Sequence, residues 1–234
     1  LIRPETEHPV QEINTTTDTR DYLAKSRQDA ERKGYADWLI VDVDAHHVET
    51  VSWPEVTSFI EDPVVRDQAK MYHSERIGAP PYGLNGDLGL RYQDVGGRIP
   101  QQSSQREKIS ETDVHRDVVL TRRAMHGLGV DYMVIFPTPM LFLGMHPQTE
   151  MEVFLSRAYN RWLTEKVLPG DPGMVTLVVL PFNTPVEALK MVEEFADTPG
   201  VIGYCVTSTR YKPVHANESV SYTHLRAHET REAR

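Results

Sequence analysis

A single cysteine, Cys205, among 234 residues rules out an internal disulfide, which fits a reducing, cytoplasmic setting. The longest apolar stretches are strand-sized, so nothing in the sequence reads as a membrane span. A run of lysine and arginine is also missing, and the net charge is -9 with histidine neutral. That balance argues against a nucleic-acid surface. There is no Gly-x-Ser-x-Gly elbow, no P-loop and no Gly-x-Gly-x-x-Gly after a strand, which removes the main serine-hydrolase, nucleotide and dinucleotide signatures. The first residues carry no secretory leader, while Leu1 in place of Met leaves room for an upstream segment. What is present is 39% hydrophobic residues, enough for one sizeable core or two small ones.

Along the chain, residues 1–18 are polar and aperiodic and read as an extended lead-in. A helix is predicted from Asp18 or Thr19 to Gly34, completing an N-terminal extension over residues 1–36. The run Trp38 to His46 is a strand. Ser52-Trp53-Pro54 looks like a helix start, and a second short helix is predicted from Pro63 to about His73. Residues 76–110 are dense in Gly, Pro, Gln and Ser, too long for a routine connection, and read as an insertion loop. Helices are then predicted from Thr112 to Gly127, Thr149 to Val167 and Pro185 to Ala196. Between and after them lie strands at Val130–Pro137, Met174–Leu180 and Val201–Val206. Four strands separated by helices are the rhythm of βαβ units, so the fold class is α/β with a parallel sheet and outer helices.

The chemistry concentrates at the end of the first strand, in Asp42-Val43-Asp44-Ala45-His46-His47 and Glu49. Strict alternation puts Asp42, Asp44 and His46 on one face, with Leu39, Val41 and Val43 packed on the other. Carboxylate and imidazole donors two residues apart can converge on one divalent cation, Zn or Mn. The alternative is a strand whose last residues simply enter solvent. His47 faces away from His46 and reads as a packing or supporting residue. Glu49 either orients a ligand or is an exposed helix-cap carboxylate. The loop after the second strand, Pro137-Thr138-Pro139-Met140-Leu141-Phe142, running on to His146, is apolar and Met-rich. It suits the wall of a substrate pocket, with a plain hydrophobic cover as the alternative. A lone loop histidine such as His146 is more often exposed than a ligand. Asn160 reads as a buried, hydrogen-bonded packing residue, and Cys205 as a structural thiol.

These residues resemble a known family. Ile40-Val41-Asp42-Val43-Asp44-Ala45-His46-His47-Val48-Glu49 is similar to the opening strand of the amidohydrolase-related family (amidohydrolase family 2), which includes aminocarboxymuconate-semialdehyde and resorcylate decarboxylases. Met125 to Thr138, Ala158 to Leu163 and Leu177 to Pro181 resemble its next landmarks, so the likeness spans roughly residues 38–207. It implies a (β/α)8 TIM barrel with one divalent metal at the C-terminal mouth, and puts the first-strand ligand pair on Asp44 and His46. Asp42, His47, Glu49, Pro137, Thr138, Phe142 and His146 then line or support the pocket. Only about four βα units are countable, over residues 37–218, so the expected His and Asp ligands of later strands, and the catalytic residues, fall outside the chain.

Residues 219–234 carry Val220-Ser221-Tyr222-Thr223-His224-Leu225-Arg226-Ala227-His228, which resembles a translated sequencing-adapter run-on and is expected to be non-native or disordered. His224 and His228 are then not ligands despite their helical spacing. The expected function is a metal-dependent carboxy-lyase of a small carboxylated cyclic or aromatic molecule. A hydrolase of a lactone, amide or C–C bond is the alternative, and an inactive half-barrel the second one. The partners expected are a small-molecule substrate, no nucleic acid and no membrane. His146, His215 or a homodimer partner are further sources of metal ligands.

Overall fold

A computed structural model describes residues 19–47, 49–71, 109, 113–146 and 148–206. The lead-in, the insertion apart from Ile109, and the tail therefore lie outside the described residues, as do His215, His224 and His228.

Among the described residues ten main elements appear in the order α1 (Thr19–Arg32), β1 (Val41–His47), α2 (Trp53–Ser58), α3 (Pro63–Met71), α4 (Arg116–Leu128), β2 (Tyr132–Pro137), α5 (Thr149–Trp162), β3 (Met174–Val179), then α6 (Pro185–Phe195), with β4 (Val201–Cys205) closing the series. All strand pairings are parallel, in the order β1-β2-β3-β4. The chain is thus α/β, as the alternating pattern implied. Among the described residues no helix is long and apolar enough to cross a membrane.

The predicted elements hold to within a few residues, with one informative shift. α4 starts at Arg116, where the His115 ring accepts a hydrogen bond from Asp117 N. It stops at Gly129, whose φ of 69° suits a residue without a side-chain carbon. A β-carbon on Gly127 would lie 2.8 Å from Leu23 Cβ, so α1 and α4 meet there at a distance only glycine allows.

The main core joins one face of the sheet (Met133, Ile135, Met174, with Ala45 partly buried) to Trp53, Val56, Leu155, Tyr159 and Trp162 of the helices. Asn160 is buried and pairs its amide with both polar groups of Val179, donating to the carbonyl at 2.9 Å and accepting from the N–H at 3.0 Å. That satisfies in one stroke four polar atoms that burial would otherwise penalise. The sheet's two edge strands keep large apolar side chains exposed: Val41 and Val43 on β1, Ile202 and Tyr204 on β4.

The packed apolar row expected on β1 does not form. Leu39 is 75% exposed and Val43 70% exposed. The strand also carries a β-bulge: β1 pairs Asp42 with Met133 but Ala45 with Ile135, three residues advancing against two. One extra residue at Val43–Asp44 shifts the phase of the strand, so simple alternation fails across it.

Candidate functional site

The bulge corrects the grouping of the acidic residues. Register aligns Asp42 with Met133, whose side chain is in the helix-side core, whereas His46 aligns with Phe136 and meets its ring edge-on at 4.4 Å between centroids. Asp42 is therefore not a third donor beside Asp44 and His46. Its Oδ1 accepts the Asp44 backbone N–H at 2.9 Å and so braces the bulge from its own backbone.

Asp44 and His46 do come together. Asp44 Oδ1 lies 3.2 Å from His46 Nε2, with the aspartate side chain 81% exposed and the histidine 21% exposed. The other ring nitrogen, Nδ1, is 3.1 Å from the Pro137 carbonyl oxygen. A carbonyl only accepts, so the ring donates to it from Nδ1, while Nε2 faces a carboxylate that also only accepts; a cation between the two would take the Nε2 lone pair. Two donors bound to one tetrahedral cation at 2.0–2.2 Å stand roughly 3.3 Å apart, so this pair already has the spacing of a ligand edge. The donor set therefore fits a borderline divalent ion. Among the described residues no three His, Cys, Asp or Glu side chains gather at one point.

His47 turns to the helix side and is fully engaged there. Its Nδ1 is 3.3 Å from Asp117 Oδ2 and its Nε2 is 2.7 Å from the Tyr159 hydroxyl. The Trp162 ring lies nearly parallel to it at 5.7 Å. Burial pushes the Asp117 carboxyl up, but the His47 hydrogen bond and the charges of His47, His115 and Arg116 outweigh this and leave it below its ordinary value. Burial first, then the nearby Glu49 and Asp117 carboxylates, hold the Tyr159 phenol well above its ordinary value, so it stays a donor to His47. No lone pair of His47 remains for a metal. Asp117 had no motif to announce it, and only its packing against His47, 70 residues away in sequence, reveals its part.

Glu49 is neither exposed nor a solvent cap: it is fully buried. Its Oε2 accepts the Thr138 N–H at 3.0 Å and its Oε1 the Met140 N–H at 2.7 Å, which ties the start of the loop after β2 to the end of β1. Burial raises its carboxyl from 4.5 to about 7, against the lowering effect of His47 and these backbone donors. The Thr138 hydroxyl donates to the His47 carbonyl at 2.7 Å and lies 3.4 Å from His46 Nδ1.

The loop itself, a 3-10 segment over Pro139–Met145, sends Met140 and Leu143 into the core and packs Phe142 against it. His146 is buried rather than exposed: its Nδ1 accepts the Gln148 N–H at 3.0 Å, and burial lowers its basicity. Cys205 is half-buried, and burial pushes its thiol up, away from nucleophilic use. No family model matches the chain, and no curated protein matches it.

Proposed function

We propose that the chain is part of a metal-dependent enzyme of the amidohydrolase-related kind, a carboxy-lyase acting on a small carboxylated cyclic or aromatic molecule. The observation that carries this reading is the Asp44–His46 pair, 3.2 Å apart at the C-terminal end of β1 with the outer ring nitrogen already engaged. The β1-β2-β3-β4 parallel order supports the further reading that these strands are the first four of a (β/α)8 barrel. In such barrels the chemistry gathers at the C-terminal ends of the strands, the end at which this pair sits.

Asp44 and His46 would hold one divalent cation, Zn or Mn, which supplies Lewis acidity toward a substrate carboxylate and its neighbouring oxygen. The chain's own residues hold and orient. The Pro137 carbonyl fixes the His46 tautomer, the Asp42 carboxylate fixes the Asp44 backbone, and Phe136 offers an aromatic edge beside His46. A hydrolase of a lactone, amide or C–C bond would use the same pair, with the Lewis acidity directed at water.

Calorimetric titration of Mn²⁺ and Zn²⁺ into the whole chain, alongside CO₂ release and lactone or amide cleavage, tests the reading. With only two donors of the site on this chain, we expect weak binding that Asp44→Ala and His46→Ala each remove, and CO₂ release as the activity of a homologue that carries the later strands. Binding that survives both substitutions would sink it. A second, non-catalytic reading is favoured by the exposed Val43 and Ile202 on the two outer strands, since strand edges that are unpaired among the described residues and carry apolar side chains invite self-association. Concentration-dependent oligomers without metal binding would select that reading.

A further inference from the structure

The Pro137 carbonyl that accepts from His46 and the Thr138 N–H that donates to Glu49 belong to the same peptide group. A peptide unit is planar and rigid, so fixing its N–H end fixes the direction of its C=O end. Hydrogen bonds in series also polarise one another, and a carboxylate on the N–H makes the carbonyl oxygen a stronger acceptor.

We propose that Glu49 is a positioning residue for His46, acting through the single Pro137–Thr138 peptide group to favour the His46 proton on Nδ1 against the pull of the Asp44 carboxylate on Nε2, so that Nε2 is available to a cation. The inference rests on the metal-site reading for its purpose, but not for its geometry. Three facts support it. Glu49 is fully buried, so its carboxylate has no competing solvent. Its second oxygen is anchored by Met140 N at 2.7 Å, which stops the side chain from swinging off Thr138. The Thr138 hydroxyl, 3.4 Å from Nδ1, donates its own proton to the His47 carbonyl, so toward Nδ1 it too can only accept. A ring nitrogen tied in this way on one side is the usual means of aiming the other at a cation, with the carbonyl here backed in turn by an acid.

The test is ring ¹⁵N spectroscopy of His46 in the whole chain at pH 8, comparing the parent with Glu49→Gln and Thr138→Ala. A glutamine can accept from only one of the two backbone N–H groups that Glu49 serves. We expect the parent to be Nδ1-protonated and Glu49→Gln to lower the Nδ1–H to Nε2–H ratio by about fivefold or more. Thr138→Ala should leave the ratio in place, because its backbone N–H remains. An unchanged ratio in Glu49→Gln, or a shift in Thr138→Ala alone, would overturn the relay. Should Glu49→Gln fail to fold by circular dichroism, the parent spectrum still decides: an Nε2-protonated His46 overturns the inference. Mn²⁺ titration adds the functional readout, with Glu49→Gln expected to weaken binding by about 10-fold to 100-fold. If the parent binds no metal, the metal-site reading fails while the tautomer ratio still judges the relay.

Discussion

His46 and His47 are neighbours in the chain and live in opposite chemistries. His47 stacks on Trp162 and has both ring nitrogens occupied, by Asp117 and by Tyr159, with its side chain only 11% exposed. His46 has one nitrogen occupied by the Pro137 carbonyl and the other pointed at an exposed carboxylate. The difference teaches that a histidine's availability to a cation is set by which lone pair its neighbours leave unused. The identity of the residue and its place in a motif do not decide that. The helix-side ring is closed in by hydrogen bonds and stacking within the chain, whereas the His46 ring has an exposed carboxylate beside it.

Substitutions that fall on one side of this divide should cost stability, and those on the other should cost only binding. The largest effect is expected at Trp162, fully buried beneath His47: Trp162→Ala should lower unfolding free energy by roughly 3–5 kcal/mol in chemical denaturation. A loss below about 1 kcal/mol would show the helix-side face to be looser than its packing implies.

Next comes Glu49, which sits at the junction. Its carboxyl is raised from 4.5 to about 7 in the folded chain, so the folded state holds the proton more tightly than the unfolded one. Stability from this group is therefore greatest below about pH 4.5 and declines as pH rises through about 7. At about 1.4 kcal/mol per pKa unit, Glu49→Gln should gain on the parent by about 3 kcal/mol between pH 4.5 and 8. Denaturation curves at the two pH values check this, and parallel pH profiles would refute it.

Asp117→Asn should cost about 1.5–3 kcal/mol, since it replaces a carboxylate hydrogen bond to a buried ring. The Asp117 carboxyl lies below its ordinary value in the folded chain. Its contribution is thus present above that ordinary value and lost as pH falls through the lowered one, the opposite slope to Glu49. The smallest stability effect is expected at His46. His46→Ala should change unfolding free energy by less than about 1 kcal/mol while abolishing Mn²⁺ binding. A loss as large as that at Asp117 would erase the distinction between the two faces.

Local pattern made much of the fold legible. Apolar residues at helical spacing located α5, and the near-continuous run Met174 to Leu180 located β3. The Asp44–His46 pair was legible too, because two residues along a strand is a short-range relation. The bulge was not, since it exists only in the register of β1 against β2. Glu49 was read with an exposed alternative because its partners, Thr138 and Met140, lie 89 and 91 positions away. His146 is buried for a related reason: its burial comes from how the loop packs, which no neighbour in sequence announces.

By itself, then, the sequence determined the alternation of strands and helices, the parallel sheet they imply, and the placing of one carboxylate and one imidazole at the end of β1. Those follow from periodicity and from chain connectivity. Only the tertiary structure decided which carboxylate meets His46, which histidine is closed in by the helix-side core, and that Glu49 reaches His46 through a peptide group of another strand. Each of those depends on which backbone donor or acceptor from a distant segment arrives within about 3 Å, and hydrogen-bond partners at that range are chosen by packing.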